Sequence, residues 1–159
     1  MITVLRAGRL HASGMADLLN EIISAGGSTA MTTLVSGDYL AERIGHDRSA
    51  WHVAEDEAGR VMGFQWIEPA DYLPADAAEI ATFARKGSSG LGIGSALFRA
   101  TEAAARALGY AWINANIRAD NSGGLAYYQS RGFEDYGRVE GYPMENGQVV
   151  DKVLKRFDL

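Results

Sequence analysis

Three glycines at alternate positions, Gly90, Gly92 and Gly94, stand between a strand-like stretch and the start of a strongly helical one. That placement suits an anion. A helix N-terminus exposes unpaired N–H groups and roughly half a positive charge, and glycines let backbone amides reach a phosphate with no side chain in the way. Ser88, Ser89 and Ser95 add hydroxyl donors, and Arg85 and Lys86 are close in sequence. The segment Gly90-Leu91-Gly92-Ile93-Gly94 is therefore a candidate phosphate cradle; a Gly/Ser-rich surface loop capping a helix is the plainer reading. Two other phosphate motifs do not fit. A nucleoside-triphosphate loop needs a Gly-Lys-Ser/Thr triplet, which the chain lacks. A dinucleotide fingerprint belongs near the first strand of a repeated unit, whereas this loop lies in mid-chain after a hairpin.

The elements that must hold this loop can be read from punctuation and periodicity. Ile2 to Arg6 alternates as a short strand. Ser13 can cap a helix that carries Met15, Leu18, Leu19, Ile22 and Ile23 on one face and stops at Gly26-Gly27. A shorter helix covers Asp38 to Ile44. Trp51–Glu55 and Val61–Ile67 read as a hairpin around Asp56-Glu57-Ala58-Gly59, and Pro69 and Pro74 mark a loop. A strand from Ala77 to Arg85 enters the glycine loop. The helix Ile93–Leu108 places Ile93, Ala96, Leu97, Ala100, Ala104 and Leu108 together, with Glu102 and Arg106 at a supportive i, i+4 spacing. Trp112–Ile117 is a strand and Ser122–Ser130 a helix ended by Gly132. Phe133–Tyr142 and Val149–Phe157 are strands flanking an Asn146-Gly147 turn. The order β, α, α, β, β, β, α, β, α, β, β predicts an α/β (α+β) fold in which a mixed sheet carries helices on both faces.

Composition bounds the function. The 159 residues form one domain, with 47% hydrophobic and 22% charged residues, in the range of a soluble globular protein. Without cysteine there is no disulfide, thiolate nucleophile or cysteine metal site. The formal net charge of −5 argues against a nucleic-acid binder, and no secretory signal or apolar run of membrane-spanning length is present. The expectation is a cytoplasmic enzyme with no membrane partner. His11 and His46 read as loop or surface residues and His52 as a structural strand residue, so no metal site is expected. Asn121 reads as an N-cap, and Gly123 and Gly124, weak helix formers, leave room for something close by.

With these residues in place, the chain resembles the GNAT superfamily of N-acetyltransferases. Ser89 to Phe98 (SSGLGIGSALF with its preceding serine) is similar to the family's acetyl-CoA loop, R/Q-x-x-G-x-G/A, with Ser89 on the Arg/Gln position and Gly92 and Gly94 on the fixed glycines. Asn121 to Phe133 (NSGGLAYYQSRGF) is similar to its N-x-x-A-x-x-x-Y-x-x-x-G-F segment, with Asn121, Tyr128, Gly132 and Phe133 on recognisable positions and the alanine displaced to Ala126. The element order is the third likeness. Within the superfamily the chain looks most like the phosphinothricin and small amino-acid N-acetyltransferase branch, on Glu79 in Glu-Ile-Ala-Thr-Phe-Ala and on the terminal NGQVVDKVLKRFDL. Two departures stand out: Ser89 replaces Arg or Gln, and Ala84-Arg85-Lys86 replaces hydrophobic-x-Pro. Arg85 or Lys86 is the expected compensation.

The resemblance implies a mostly antiparallel sheet splayed between the fourth and fifth strands. It implies acetyl-CoA as co-substrate, held by Phe83, Ala84, Ser89, Gly90, Leu91, Gly92, Ile93, Gly94, Ser95, Asn121 and Tyr128. It further implies Glu79 as general base toward the primary amine of a small molecule, an amino acid or analogue. The amide of Phe83 or Ala84 would face the thioester oxygen, and Tyr128 would be the acid for the leaving thiolate. A protonated amine of pKa near ~10.4 needs such a base at neutral pH, and a phenol near ~10 is a serviceable acid for a thiolate near ~8.5. Adjacent helical residues diverge by roughly 100°, so Tyr127 is expected to face away from the thioester. Acceptor specificity would come from Ala25–Val35, Glu68–Ala75 and Tyr136–Asn146, with Arg43 or Arg138 available for a carboxylate. A non-catalytic acyl-CoA sensor and a protein N-terminal acetyltransferase are the alternatives, and the two terminal strands could pair across a homodimer.

Overall fold

In the computed structural model, which describes residues 1–88 and 91–159, seven strands form one sheet. Ser89 and Gly90 therefore lie outside the described residues. In chain order the elements are β1 (Thr3–Arg6), α1 (Ala12–Ala25), α2 (Gly37–Ile44), β2 (Ala50–Glu55), β3 (Val61–Glu68), β4 (Ala77–Ala84), α3 (Ile93–Ala107), β5 (Trp112–Arg118), α4 (Ser122–Ser130), β6 (Glu134–Pro143) and β7 (Val149–Asp158). The sheet order is β1-β2-β3-β4-β5-β7-β6, and every neighbouring pair is antiparallel except β4–β5.

The parallel pair controls the geometry. β4 and β5 pair only from Ala77↔Trp112 to Ile80↔Ala115. Beyond that point Ala81–Ala84 stay with β3 and Asn116–Arg118 with β7, so the sheet splits in the middle.

Two helical layers cover the two faces. On one, Met15, Leu18 and Leu19 of α1 and Leu40 of α2 pack on Trp51, Val53, Phe64, Trp66 and Phe83. Trp51 and Trp66 stack at 4.3 Å between centroids, as directly opposed cross-strand partners. On the other face Phe98 and Ala105 of α3 and Tyr128 of α4 pack on Ile67, Ile80, Ile113 and Ala115. Among the described residues no helix is long and apolar enough to cross a membrane.

Two local expectations are corrected. α1 begins at Ala12 after a single turn of 3-10 helix, so Ser13 lies inside the helix and is not its cap. His11 works here: its Nδ1 accepts the Gly8 N–H at 2.9 Å and tightens that turn. On α3 the fully covered stripe is Ile93, Leu97, Phe98, Thr101 and Ala105, rotated from the expected face so that Ala96, Ala100 and Ala104 are half-buried. Small residues flank the contact and larger ones fill it. The expected Glu102–Arg106 ion pair is present at 2.9 Å.

Candidate active site at the split in the sheet

Alternation along β4 sends side chains and amides in opposite directions. Arg85 N–H donates to Met62 at 2.8 Å, so two residues back the Phe83 amide also faces β3. The Thr82 and Ala84 amides face the split. Of the two donors expected at a developing oxyanion, Ala84 is the one whose N–H points there. The Phe83 side chain is buried in the aromatic cluster with Phe64 and Trp66.

On the α3/α4 face, the helix N-terminus beside the split is open. Gly92 is the N-cap of α3 with φ of +72°, a left-handed conformation that favours glycine, and nothing lies within 4 Å of where its Cβ would be. Among the described residues no side chain caps α3. An anion could therefore reach the amides of its first turn, and this part of the cradle fits a pyrophosphate. Gly94 is a glycine for another reason: a Cβ there would lie 2.6 Å from Cε1 of Tyr127.

That contact is one of several that fix Tyr127. Its hydroxyl donates to the Gly94 carbonyl at 2.7 Å and accepts from Gln65 Nε2 at 3.0 Å. Gln65 also donates to Thr82 Oγ1 at 2.9 Å, and Thr82 Oγ1 is 2.8 Å from the Tyr128 hydroxyl. The adjacent tyrosines thus diverge at the backbone and meet again through one polar chain beneath α3. Tyr128 is packed edge-on against Phe133, and burial pushes its pKa well above the usual phenol range. It stays protonated and is a weaker acid than a free tyrosine. Gln65 is fully buried with an unpartnered Oε1. A glutamine in the apolar run Gly63-Phe64-Gln65-Trp66 was the available sign of it.

Asn121 caps α4, its Oδ1 accepting from Gly124 N–H at 3.0 Å, and its Nδ2 donates to Ser28 of the α1–α2 connection at 2.9 Å. The space implied by Gly124 is filled by Asn121 itself, whose Nδ2 would be 2.5 Å from a Cβ. Of the two charges expected near the cradle, Arg85 is engaged elsewhere. Arg85 pairs with Glu21 at 3.1 Å and donates to the Val61 carbonyl, while Lys86 is exposed. Leu91 is exposed, Ile93 is buried, and Ser88 bonds back to Arg85. Ser95 Oγ receives a hydrogen bond from Arg131 Nη1 at 2.7 Å.

Glu79 lies on the opposite face, where β4 still pairs with β5 and its partner is Asn114. Tyr72 donates to the Glu79 carboxylate, and Asn114 Nδ2 bonds Tyr72 at 2.9 Å and approaches Glu79 at 3.4 Å. Tyr136 donates to Asn114 Oδ1, and Asn116 donates to Tyr72 at 3.3 Å. Burial pushes the Glu79 pKa up; the Tyr72 hydrogen bond, the Lys152 charge and Asn114 pull it down without cancelling the rise. Tyr136 opens the segment expected near the acceptor, whereas Asn114 was not anticipated; its signal is Asn114 and Asn116 at alternate positions of an otherwise apolar strand. Arg43 and Arg138 are not free for a carboxylate, since Arg43 pairs with Glu68 and lies over Trp66, and Arg138 pairs with Asp151 at 2.8 Å. Further out on this face, a cavity of about 680 Å³ is bounded by Met31, Leu34, Val35, Tyr39, Tyr142 and Glu145. Two of the three connections expected to meet an acceptor, Ala25–Val35 and Tyr136–Asn146, contribute side chains to it, while Glu68–Ala75 contributes Tyr72 beside Glu79.

The signature of the Acetyltransferase (GNAT) family matches residues 15–133. Solved structures share the fold. A ribosomal-protein-alanine N-acetyltransferase from Brucella melitensis is 22% identical with a TM-score of 0.88, covering 99% of each chain. A GNAT superfamily phosphinothricin acetyltransferase from Sinorhizobium meliloti, solved in complex with AcCoA, is 23% identical with a TM-score of 0.88 over 99% of this chain and 88% of that one. An N-acetyltransferase from Staphylococcus aureus is 20% identical with a TM-score of 0.88 over 99% and 98%. No curated protein matches the chain significantly. Equal similarity to enzymes named for a ribosomal protein and for phosphinothricin means that the fold does not select the acceptor.

Proposed function

The chain belongs to the acetyltransferase (GNAT) family, and from that premise we propose that it acetylates the primary amine of a small molecule, an amino acid or analogue, by direct attack of the amine on acetyl-CoA. The observation that carries this reading is the pair of groups flanking the split. A half-buried carboxylate with a raised pKa, Glu79, stands on one face, and a buried phenol, Tyr128, on the other.

Acetyl-CoA supplies an activated thioester. The first turn of α3, from Gly92 through Ser95, would hold its pyrophosphate through backbone amides, which makes the serine at position 89 tolerable. Glu79 would take a proton from the bound ammonium group, and its raised pKa brings it nearer to that task. The Ala84 N–H would face the carbonyl oxygen as it gains negative charge. Tyr128, held by Thr82, would donate a hydrogen bond to the departing sulfur. Its elevated pKa favours a stabilising hydrogen bond over outright proton loss. The Asn121 contact to Ser28 would keep the α1–α2 connection close to the mouth of the split.

Thiol release from acetyl-CoA by the purified protein, over a panel of amino acids, other small amines and peptide N-termini, tests the proposal. Release that depends on a small amine is the expected result. Tight CoA binding without release on any member would favour a sensor, and release with peptides alone would favour a protein N-terminal acetyltransferase.

A further inference from the structure

Arg131 occupies a place that the proposed reaction does not explain. It follows the last turn of α4, where a cation suits the helix C-terminus, yet its guanidinium does not stay there. It crosses to the first turn of α3, donating to Ser95 Oγ at 2.7 Å and lying 5.9 Å from the centre of the Tyr127 ring. Tyr127 is itself fixed to Gly94 O at 2.7 Å. Its remaining contact is Ser130 Oγ, at 3.4 Å, so the partners described for this half-buried cation are hydroxyls and a ring, none of them an anion. A cation at the amino end of a helix meets the positive end of the dipole, which disfavours the arrangement until a negative group arrives. The Ser95 oxygen that accepts from Arg131 still has its own proton to offer.

We propose that Arg131 is a phosphate-binding residue for CoA, supplying from α4 the positive charge that Ser89 does not supply from the loop. The inference rests on the acetyl-CoA reading above. It also explains why Arg85 can be spent on Glu21 and Val61: the compensating charge comes from 42 residues beyond Ser89 in sequence, through the α3–α4 contact. Ser95 and Tyr127 act as positioning residues, one by accepting from the guanidinium and the other by providing its floor.

Calorimetric titration with CoA, dephospho-CoA and pantetheine tests this in the wild type, Arg131→Met and Arg131→Lys. Arg131→Met is expected to weaken CoA about tenfold or more, in the range of a lost charge-assisted hydrogen bond, with Arg131→Lys recovering part of the loss and with melting temperature unchanged. Pantetheine, which has no phosphate, should bind all three alike. An undiminished penalty with dephospho-CoA assigns the contact to the pyrophosphate, and a penalty that vanishes assigns it to the 3′-phosphate. CoA affinity within twofold of wild type in Arg131→Met, or an equal loss for pantetheine, would overturn the inference and leave the acetyltransferase reading standing. Failure of the wild type to bind CoA would instead remove that reading.

Discussion

On the α3/α4 face of the split, Gly94, Tyr127, Tyr128 and Arg131 come from two helices and fix one another through short, specific contacts: a ring in the space of a missing Cβ, and hydroxyls in series through Thr82 and Gln65. On the other face, Glu79, Tyr72, Asn114 and Tyr136 come from two strands, a loop and the terminal hairpin. The first assembly leaves little freedom, as a site for an invariant ligand requires. The second is stitched from connections that can change without disturbing the sheet, as a site for a variable acceptor requires. With the donor on the first face and the acceptor on the second, as proposed, the contrast would let one fold serve acetyltransferases with different acceptors.

After Glu79→Gln, the largest departure is expected at the junction of the two faces. Tyr128→Phe should lower kcat by about tenfold or more, within the range for a positioned acid or hydrogen-bond donor, while acetyl-CoA affinity stays within about twofold. Steady-state kinetics beside calorimetry checks this, and an unchanged kcat would separate Tyr128 from the chemistry.

Rigidity of the donor side can be tested by two alanines. Gly94→Ala forces a Cβ against Tyr127 and should destabilise the fold by about 1–2 kcal/mol, since overpacking outweighs the gain in helix propensity. Gly123→Ala meets nothing closer than Asn121 Oδ1 at 3.8 Å and should stabilise by up to ~1 kcal/mol. Denaturant melts of both variants give the comparison. Equal effects would mean that Tyr127 yields readily and that the donor side is less rigid than its contacts imply.

The acceptor side should respond to pH. The Tyr72 hydrogen bond favours the ionised form of Glu79, so Tyr72→Phe should raise the Glu79 pKa further. In the proposed reaction Glu79 acts as the carboxylate, so activity is expected to fall as pH falls through its pKa. The acid limb of kcat/KM should therefore move to higher pH in the variant. A limb that stays in place would detach Tyr72 from the base.

Much of this was legible because the donor side is local in sequence. The helix from Ile93, the glycines before it and the run from Asn121 to Phe133 carry fixed spacings, and the element order follows from periodicity and turns. Three things were not legible. The exposed face of α3 depends on how Phe98 meets Phe133 and Phe157, which only tertiary packing decides. The partners of Tyr127 were not legible, because a 100° divergence at the helix surface says nothing about where a long side chain ends once Gln65 and Gly94 offer partners. The surroundings of Glu79 join Tyr72 with Asn114 and Asn116, 42 and 44 positions away, and no local pattern announces them.

The central claim is that Glu79 acts on the acceptor while the α3/α4 face holds the donor independently. Measuring kcat/KM for the best amine and the Kd of acetyl-CoA in Glu79→Gln tests it most directly. A loss of about 10²–10³-fold in kcat/KM is expected, with Kd within twofold of wild type. A rate within twofold of wild type, or a parallel loss of acetyl-CoA binding, would contradict the claim.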